Sequence, residues 1–305
     1  MISIVSPVYR AEKILPTLVA EIHRVMQKIA EPYEIILVDD RSPDNSWEVM
    51  KALSAESENL KVYRLSKNFG QHATIFAGLS RVSGEWVVVM DCDMQDQPKE
   101  IEKLYKKAKE GYKIVTARRR QRKDKLLKIL SSNIFYRLFN YLSGMKINRE
   151  VANFGIYHRE VIEAVKSIGD YIKFFPLFIN FVGYTTASIE VEHSKREEGK
   201  SSYNFRKLVS LAFNVIFSFS DKPLRLFVTF GGLVSLLSLL MGLWYLYKFA
   251  MGYIVEPGFT SLILSIWFLS GVLISCIGVL GIYLGKAYNQ MKNRPVYIIE
   301  EHYES

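Results

Sequence analysis

Two uncharged apolar stretches near the C-terminus constrain this chain more than any other feature. Residues 226–247 read LFVTFGGLVSLLSLLMGLWYLY and residues 262–285 read LILSIWFLSGVLISCIGVLGIYLG, with no Asp, Glu, Lys or Arg in either. An α-helix needs about 20 apolar residues to cross the hydrocarbon core of a bilayer, which is roughly 30 Å thick. Both stretches are therefore predicted to be transmembrane helices.

The charges that flank these stretches predict their orientation. The loop between them, GYIVEPGFTS, has no Lys or Arg, and Lys248 is the one basic residue beside it. The outer flanks carry Lys222, Arg225, Lys286, Lys292 and Arg294. Because basic residues favour the cytoplasmic side, both ends of this multi-pass membrane protein are predicted to be cytoplasmic. Residues 203–222 form an amphipathic juxtamembrane helix in this prediction, and residues 286–305 a cytoplasmic tail.

Residues 1–202 are predicted to form a cytoplasmic α/β domain. The strand candidates are ISIVSPVY, YEIILVDD, LKVYRLS, EWVVVMD and YKIVTAR, and helix-like stretches such as LPTLVAEIHRVMQKIA lie between them. Strands that are continuously apolar indicate a mostly parallel, Rossmann-like sheet with helices on both faces. In such sheets ligands bind beyond the carboxyl ends of the strands.

Two common functions of α/β domains are disfavoured. A dinucleotide-binding oxidoreductase needs a glycine-rich turn after its first strand, and here that turn reads PVYRAEK. A P-loop sequence is absent as well. The chain has two cysteines, Cys92 and Cys276, which is too few for a disulfide framework or a cysteine metal site.

A basic segment, residues 118–145, interrupts the α/β pattern. It begins RRRQRKDK and continues into a stretch whose apolar residues recur near helical spacing, within a chain of net charge +9. A basic amphipathic helix is typical of binding to a membrane surface. Nucleic acid is the other usual partner of such a run, but no other feature supports it, so membrane lipids are the predicted partner.

An acidic cluster follows the fourth strand candidate. The stretch VVVMDCDMQDQP places Asp91 and Asp93 directly after β-branched residues, and Asp39-Asp40 ends a neighbouring strand. Carboxylate and amide oxygens, such as that of Gln95, are ligands that Mg²⁺ and Mn²⁺ prefer, and substrate phosphates often complete the shell. The cluster therefore predicts a Mg²⁺ or Mn²⁺ site that neutralises a nucleoside diphosphate leaving group.

Eight short motifs occur in order along the chain. They are SPVYRAE (6–12), VDDRSPDNS (38–46), KNFGQHATIFAGL (67–79), MDCDMQDQP (90–98), TARR (116–119), FGIYHREV (154–161), REEGKSSY (196–203) and FSDKPLR (219–225). Together they resemble the family 2 glycosyltransferases of GT-A fold, and most of all the polyprenyl-phosphate glycosyltransferases, the group that includes dolichol-phosphate mannose synthase. Two C-terminal membrane spans are typical of one branch of that group.

The resemblance implies roles for the residues at matching positions. It implies a nucleotide-sugar pocket lined by Pro7, Tyr9, Glu12, Asp39, Asp40 and Asp91. The metal would be held by Asp93 and Gln95, and the phosphate of a lipid acceptor would be bound by Arg118, Arg196 and Ser201. The catalytic set implied in this way is Asp91, Asp93, Arg118, Asn153 and Arg196. Arg10, Ala11 and Arg41 differ from the residues usual in the family, which leaves the base and the sugar open.

Asn153 is the most informative departure from the family pattern, because relatives usually carry an acidic residue there. An amide cannot act as a general base, and a hydroxyl acceptor needs one. A phosphate monoester has a second pKa of about 6 and is already largely anionic at pH 7. Asn153 is therefore compatible with a phosphate acceptor. His158 is a candidate replacement base, although its position at a helix start favours an ordinary surface histidine.

The sequence thus predicts inverting, metal-dependent transfer of a sugar from a nucleotide donor, UDP-linked by preference, to undecaprenyl or a similar polyprenyl phosphate. The product would supply cell-surface glycan synthesis, and the protein would be a candidate homo-oligomer. Three alternatives stay open: addition of sugar to a lipid-linked saccharide, polysaccharide synthesis, and a silent membrane protein that binds nucleotide sugar. None of the four tryptophans follows an arginine, so the Q-x-x-R-W motif of polysaccharide synthases is absent.

Overall fold

A computed structural model of the chain describes residues 1–119, 151–171, 173–191, 220, 222–252 and 258–304, apart from some side chains within these ranges. The chain divides into two compact units. The first consists of Met1–Asp124, Ile147–Ser201 and Arg294–Ser305, and the second of Lys125–Lys146 and Ser202–Asn293.

The first unit contains an eight-stranded sheet in the order β7-β5-β6-β4-β1-β2-β3-β8. The strands are β1 (Ile2–Val8), β2 (Tyr33–Asp39), β3 (Leu60–Leu65), β4 (Trp86–Val89), β5 (Ile114–Arg119), β6 (Val151–His158), β7 (Thr186–Val191) and β8 (Ile299–Glu304). Strands β1–β5 and β7 run in one direction, while β6 and β8 run in the other. The predicted mostly parallel sheet is confirmed, and each of the five strand candidates forms a strand.

Helices cover both faces of this sheet. They are α1 (Leu15–Ile29), α2 (Ser46–Ala55), α3 (Gln71–Leu79), α4 (Ile101–Lys109), α5 (Arg159–Ser167) and α6 (Phe175–Phe181). On one face, α1, α2 and α4 bury a continuous core with the side chains of alternate strand residues, such as Ile4, Leu37 and Val88. On the other face, α3 packs on Val5 and Val38, and α6 packs against α3 and β6. The predicted α/β architecture is therefore confirmed.

Strand β8 lies in the segment that the sequence pattern assigns to a tail. It pairs antiparallel with β3, from Lys61 opposite Glu304 to Leu65 opposite Ile299, with a register shift between Arg64 and Leu65. Its sequence, IEEHYE, is polar, and most of its side chains are exposed. An edge strand needs only main-chain pairing on one side, so its sequence carries no apolar pattern that would predict it.

The second unit contains two long helices, α7 (Lys222–Ala250) and α8 (Phe259–Met291). Within α8, Ser265–Met291 is long and apolar enough to cross a membrane, and 6% of its most apolar window is buried. This is the one such helix among the residues that the structure describes, and it overlaps the second predicted span. Helix α7 contains the first predicted span. Because the structure does not describe some of the side chains of α7, its crossing of the membrane stays a prediction.

Candidate active site

The carboxyl ends of β1, β2 and β4 meet at one edge of the sheet. Val8 lies opposite Asp39, and Val5 lies opposite Val89. Main-chain hydrogen bonds continue one residue beyond the strands, from Asp40 N to Val8 O (2.9 Å) and from Met90 N to Val5 O (3.1 Å). The acidic residues after β2 and β4 therefore lie along the same edge, as the sequence predicts.

Asp39 is fully buried at the end of β2. Its Oδ1 accepts a hydrogen bond from Ser42 N at 3.0 Å, while its Oδ2 lies 3.4 Å from Arg64 Nε without a hydrogen bond among the described residues. Burial raises the pKa of this carboxyl, and the Ser42 hydrogen bonds and Arg64 oppose that rise. Oδ2 is thus a buried acceptor whose described contact is with the Arg64 guanidinium, and the predicted contact of Asp39 with the nucleotide sugar stays a prediction. Pro7 is buried in the neighbouring strand β1, and Tyr9 is exposed just beyond it.

Asp40 shapes the loop before α3. Its two carboxylate oxygens accept hydrogen bonds from Phe69 N (2.7 Å) and Gly70 N (2.9 Å). Burial raises the pKa of Asp40, and these two backbone donors counter that rise. Gly70 has a φ of 90°, a conformation that residues with a side chain rarely adopt. The described contacts of Asp40 therefore support this loop, and its predicted contact with the nucleotide sugar stays a prediction.

Helix α3 links that loop to the acidic cluster after β4. Gln71, its first residue, donates a hydrogen bond from Nε2 to Oδ1 of Asp91 at 2.7 Å. Sequence reasoning missed Gln71 as a site residue, although the motif KNFGQHATIFAGL contains it. The contact joins residues twenty positions apart, so a motif without a fold does not reveal it.

Glu12 contacts the loop between β2 and α2. Its carboxylate accepts a hydrogen bond from Asn45 N at 3.0 Å, and its own backbone N donates to Asp44 at 3.4 Å. These contacts tie the loop after β1 to the start of α2. The described contacts of Glu12 are thus structural, and its predicted contact with the nucleotide sugar stays a prediction.

The turn after Asp91 carries the predicted metal ligands. Gln95 N donates to Asp93 Oδ1 at 3.2 Å, and Met94 between them has a φ of 56°. Cys92 packs against the hydrophobic core, and burial raises the pKa of its thiol to about 12. The turn therefore separates an apolar thiol from oxygen-bearing side chains.

The oxygen-bearing side chains of this turn suit a divalent cation that is shared with a substrate. Among the described residues, no group of three or more His, Cys, Asp or Glu could hold a metal ion alone. Mg²⁺, however, commonly uses one or two carboxylates and completes its shell with water and substrate phosphates. Asp93 and Gln95 supply only oxygen ligands, so the residues fit a metal that binds together with a diphosphate.

Asn153 lies near the same edge, on strand β6. Gly155 of β6 pairs with Val89 of β4, so Asn153 falls beyond the end of β4, as Asp91 does. Asn153 lines a cavity of about 220 Å³ with Thr116, Asn180 and Ser188. The polar side chains among its lining residues are uncharged, and its apolar wall includes Tyr157, Phe175, Pro176 and Ile179. Because its polar lining is uncharged, this cavity suits a neutral polar group of a ligand.

The remaining predicted residues divide into two groups. Arg118 is exposed near the end of β5, opposite Val151 at the start of β6. Arg196, Ser201 and most of both the juxtamembrane helix and the basic segment lie outside the described residues. His158 pairs with Trp86 at the start of β4, hence at the opposite edge, and its ring caps α5 by accepting from Glu160 N. It is an ordinary structural histidine, as its helix-start context favours.

Comparisons with known proteins place these features in a family. The sequence profile described as "Glycosyl transferase family 2" matches residues 3–166. The undecaprenyl-phosphate 4-deoxy-4-formamido-L-arabinose transferase of Shewanella sediminis is 34% identical over 304 residues, which cover 98% of this chain and 92% of that protein. An uncharacterized glycosyltransferase of Synechocystis sp. is 33% identical over 301 residues, with 98% and 95% covered.

A solved structure supports the same fold. Glucosyl-3-phosphoglycerate synthase from Mycobacterium tuberculosis, crystallised with Mn²⁺, uridine diphosphate and phosphoglyceric acid, superposes with a TM-score of 0.53. The identity is 15%, and the match covers 72% of this chain and 76% of that chain. At this identity the likeness shows the GT-A fold alone.

Proposed function

The chain belongs to glycosyltransferase family 2, and on that premise we propose that it transfers a sugar from a nucleotide donor to a polyprenyl phosphate. The observation that carries the proposal is the likeness to an undecaprenyl-phosphate sugar transferase along 98% of the chain. That match extends beyond the catalytic domain into the membrane-capable helix α8, so it includes the part that a lipid acceptor requires. The reaction would take place at the cytoplasmic face of a bacterial inner membrane.

The donor would occupy the edge formed by β1, β2 and β4. Asp39 and Asp40 would contact the nucleoside, with Pro7 and Tyr9 beside them and Glu12 at the rim. Asp91 would orient the nucleotide while Gln71 holds its carboxylate at 2.7 Å. A Mg²⁺ or Mn²⁺ ion held by Asp93 and Gln95 would neutralise charge on the diphosphate when bound. A UDP-sugar is the preferred donor in this proposal.

The acceptor would react without a general base. An anionic oxygen of the lipid phosphate would attack the anomeric carbon as the bond from that carbon to the diphosphate breaks. The leaving nucleoside diphosphate takes the bonding electron pair, and in-line attack inverts the anomeric centre. Arg118, Arg196 and Ser201 would bind the acceptor phosphate, because a guanidinium can form paired hydrogen bonds to its oxygens. Asn153 would position a reactant rather than accept a proton.

The proposed location of the protein at a membrane is supported by the membrane-capable helix α8 and by the basic segment, residues 118–145. Membrane lipids would be permanent partners, and assembly into a homo-oligomer is part of the proposal. The sugar-linked lipid would supply synthesis of a cell-surface glycan.

A reconstituted assay tests the proposal. The detergent-solubilised full chain is incubated with undecaprenyl phosphate, Mg²⁺ or Mn²⁺ and a panel of UDP-, GDP- and CDP-sugars, and the lipids are analysed by mass spectrometry. We expect one donor to give a glycosyl polyprenyl monophosphate. A parallel reaction replaces undecaprenyl phosphate by a lipid-linked saccharide, and transfer only in that reaction would favour a glycosyltransferase that extends lipid-linked saccharides. Absence of nucleoside diphosphate release with every acceptor would favour a silent binding protein.

A further inference from the structure

The strand β8 brings two adjacent carboxylates to the carboxyl end of β2 and β3. Glu301 pairs with Arg64 of β3, whereas the next β3 residue, Leu65, pairs with Ile299. Glu300 is thus the extra residue of a bulge, and bulges redirect neighbouring side chains. Glu300 forms an ion pair with Arg41, which follows Asp40 and has a φ of 55°. Both carboxylates therefore engage cations beside the Asp39-Asp40 pair.

Arg64 lies between Asp39 and Glu301. Its Nε is 3.4 Å from Asp39 Oδ2, and its Nη1 is 3.6 Å from Glu301 Oε1. Its guanidinium also lies over the ring of Trp47 at 5.7 Å, and Trp47 Nε1 donates to Glu301 Oε2 at 3.1 Å. Asp39, Glu301 and Trp47 thus restrict the orientation of the Arg64 guanidinium. A guanidinium restricted in this way loses little further freedom when its carboxylate partner binds a ligand.

We propose that Arg64 and Glu301 are positioning residues for the nucleoside of the donor, acting through the Asp39 carboxylate. The inference rests on the proposed function, because it assumes that Asp39 contacts that nucleoside. Burial alone would favour protonation of Asp39, and a neutral carboxyl offers a poorer acceptor. Arg64 lies 3.4 Å from the buried carboxylate and opposes its protonation together with the Ser42 hydrogen bonds, and Glu301 contacts Arg64 from its other side. The C-terminal strand is then part of the donor pocket rather than only a cover for the edge of β3.

The same strand provides a matched control. Glu304 accepts a hydrogen bond from the Tyr63 hydroxyl and pairs opposite Lys61, at the far end of β3 from Asp39. Glu304→Gln therefore changes the same residue type in the same strand, away from the donor edge. A merely structural role of β8 would make Glu301→Gln and Glu304→Gln equivalent.

The test measures binding of uridine, guanosine and cytidine diphosphates to the full-length protein in detergent with Mn²⁺, by calorimetry. For the diphosphate that the wild type binds, we expect Glu301→Gln to weaken affinity about threefold, the scale of a partly exposed ion pair. Arg64→Gln should weaken it about tenfold, since it leaves Asp39 without its cation. Glu304→Gln should match the wild type. In steady-state kinetics, donor KM should rise in the same proportions while kcat changes less than about twofold.

Coupling between the two residues separates positioning from general destabilisation. The double variant Arg64→Gln/Glu301→Gln should bind no more weakly than Arg64→Gln alone, because Glu301 acts through Arg64. Arg64→Lys keeps the charge but loses the two-sided contact, so its affinity should fall as well. Equal affinities for Glu301→Gln and Glu304→Gln, or additive losses in the double variant, would overturn the inference. A wild type that binds none of the diphosphates would instead refute the proposed function on which it rests.

Discussion

Gly78 of α3 packs directly against β1 and β2, and its replacement by alanine tests how the fold supports the candidate site. A Cβ at this position would lie 2.4 Å from Val5 Cγ1 and 3.3 Å from Val38 Cγ2. Val5 is fully buried in β1, and a β-branched side chain has little rotameric freedom. Because ordinary carbon contacts are about 3.5–4.0 Å, the helix must move outward by about 1 Å.

The expected magnitude combines two opposing effects. Overpacking of a core costs about 1–3 kcal/mol, while replacement of a helical glycine by alanine returns about 1 kcal/mol of helix propensity. The free energy of unfolding should therefore fall by up to about 2 kcal/mol in Gly78→Ala. The N-terminus of the same helix carries Gln71, so outward movement also displaces the partner of Asp91. A misplacement of about 1 Å near reacting groups can lower kcat/KM by about 100-fold.

Thermal unfolding and donor kinetics measure the two effects on the same preparations. Gly169→Ala is the control, because a Cβ there has no atom within 4 Å. Adding Val5→Ala removes the clashing methyl groups, so the double variant should be less destabilised than the sum of the single variants by about 1 kcal/mol or more. If Gly78→Ala were as stable and as active as Gly169→Ala, the proposed role of α3 in holding the site would be refuted.

Three further predictions concern single side chains. Asp93→Ala should lower transfer by about 1000-fold or more and remove the stimulation of nucleotide binding by Mn²⁺, with unchanged circular dichroism; a fully active variant would exclude Asp93 as a metal ligand. Asn153→Ala should lower kcat by less than about tenfold, because Asn153 positions a reactant and does not accept a proton. Loss of a general base would lower kcat by about 100- to 10,000-fold. Burial lowers the pKa of His72, which packs edge-to-face on Phe174, to about 4. Between pH 6.5, the pKa of histidine in the unfolded chain, and pH 4, the unfolded chain binds a proton more tightly than the folded protein does. The free energy of unfolding should therefore fall by about 3 kcal/mol in all as the pH is lowered from 6.5 towards 4. In His72→Gln, the free energy of unfolding measured with urea should no longer fall between pH 6.5 and pH 4 because of this residue. The same pH dependence in His72→Gln and in the wild type would contradict the lowered pKa of His72.

The parts of the fold that the sequence predicts are those with a local signal. Strands β1, β2 and β4 are mostly apolar and buried along nearly their whole length, because helices cover both of their faces. Their parallel pairing follows from the intervening helices, and it brings Asp40 and Asp91 to one edge. The acidic cluster was thus predictable in position as well as in composition.

The parts that sequence reasoning missed depend on contacts between distant residues. Strand β8 is polar, and its pairing with β3 depends on main-chain hydrogen bonds and on cations such as Arg41 and Arg64 far away in the chain. Gln71 was visible within a motif, but its partner Asp91 becomes evident only when α3 is placed on the sheet. No periodicity or spacing encodes either contact.

The proposed reaction depends on a lipid phosphate, already anionic, as the acceptor of the sugar. Its most direct test compares undecaprenyl phosphate with undecaprenol, the same lipid without phosphate, as acceptors for the purified full chain. We expect undecaprenyl phosphate alone to support release of nucleoside diphosphate and formation of a sugar-linked lipid. The rate should fall as the pH drops below about 6, where the phosphate takes up its second proton. Transfer to undecaprenol or to a sugar hydroxyl at a comparable rate would contradict the proposed reaction.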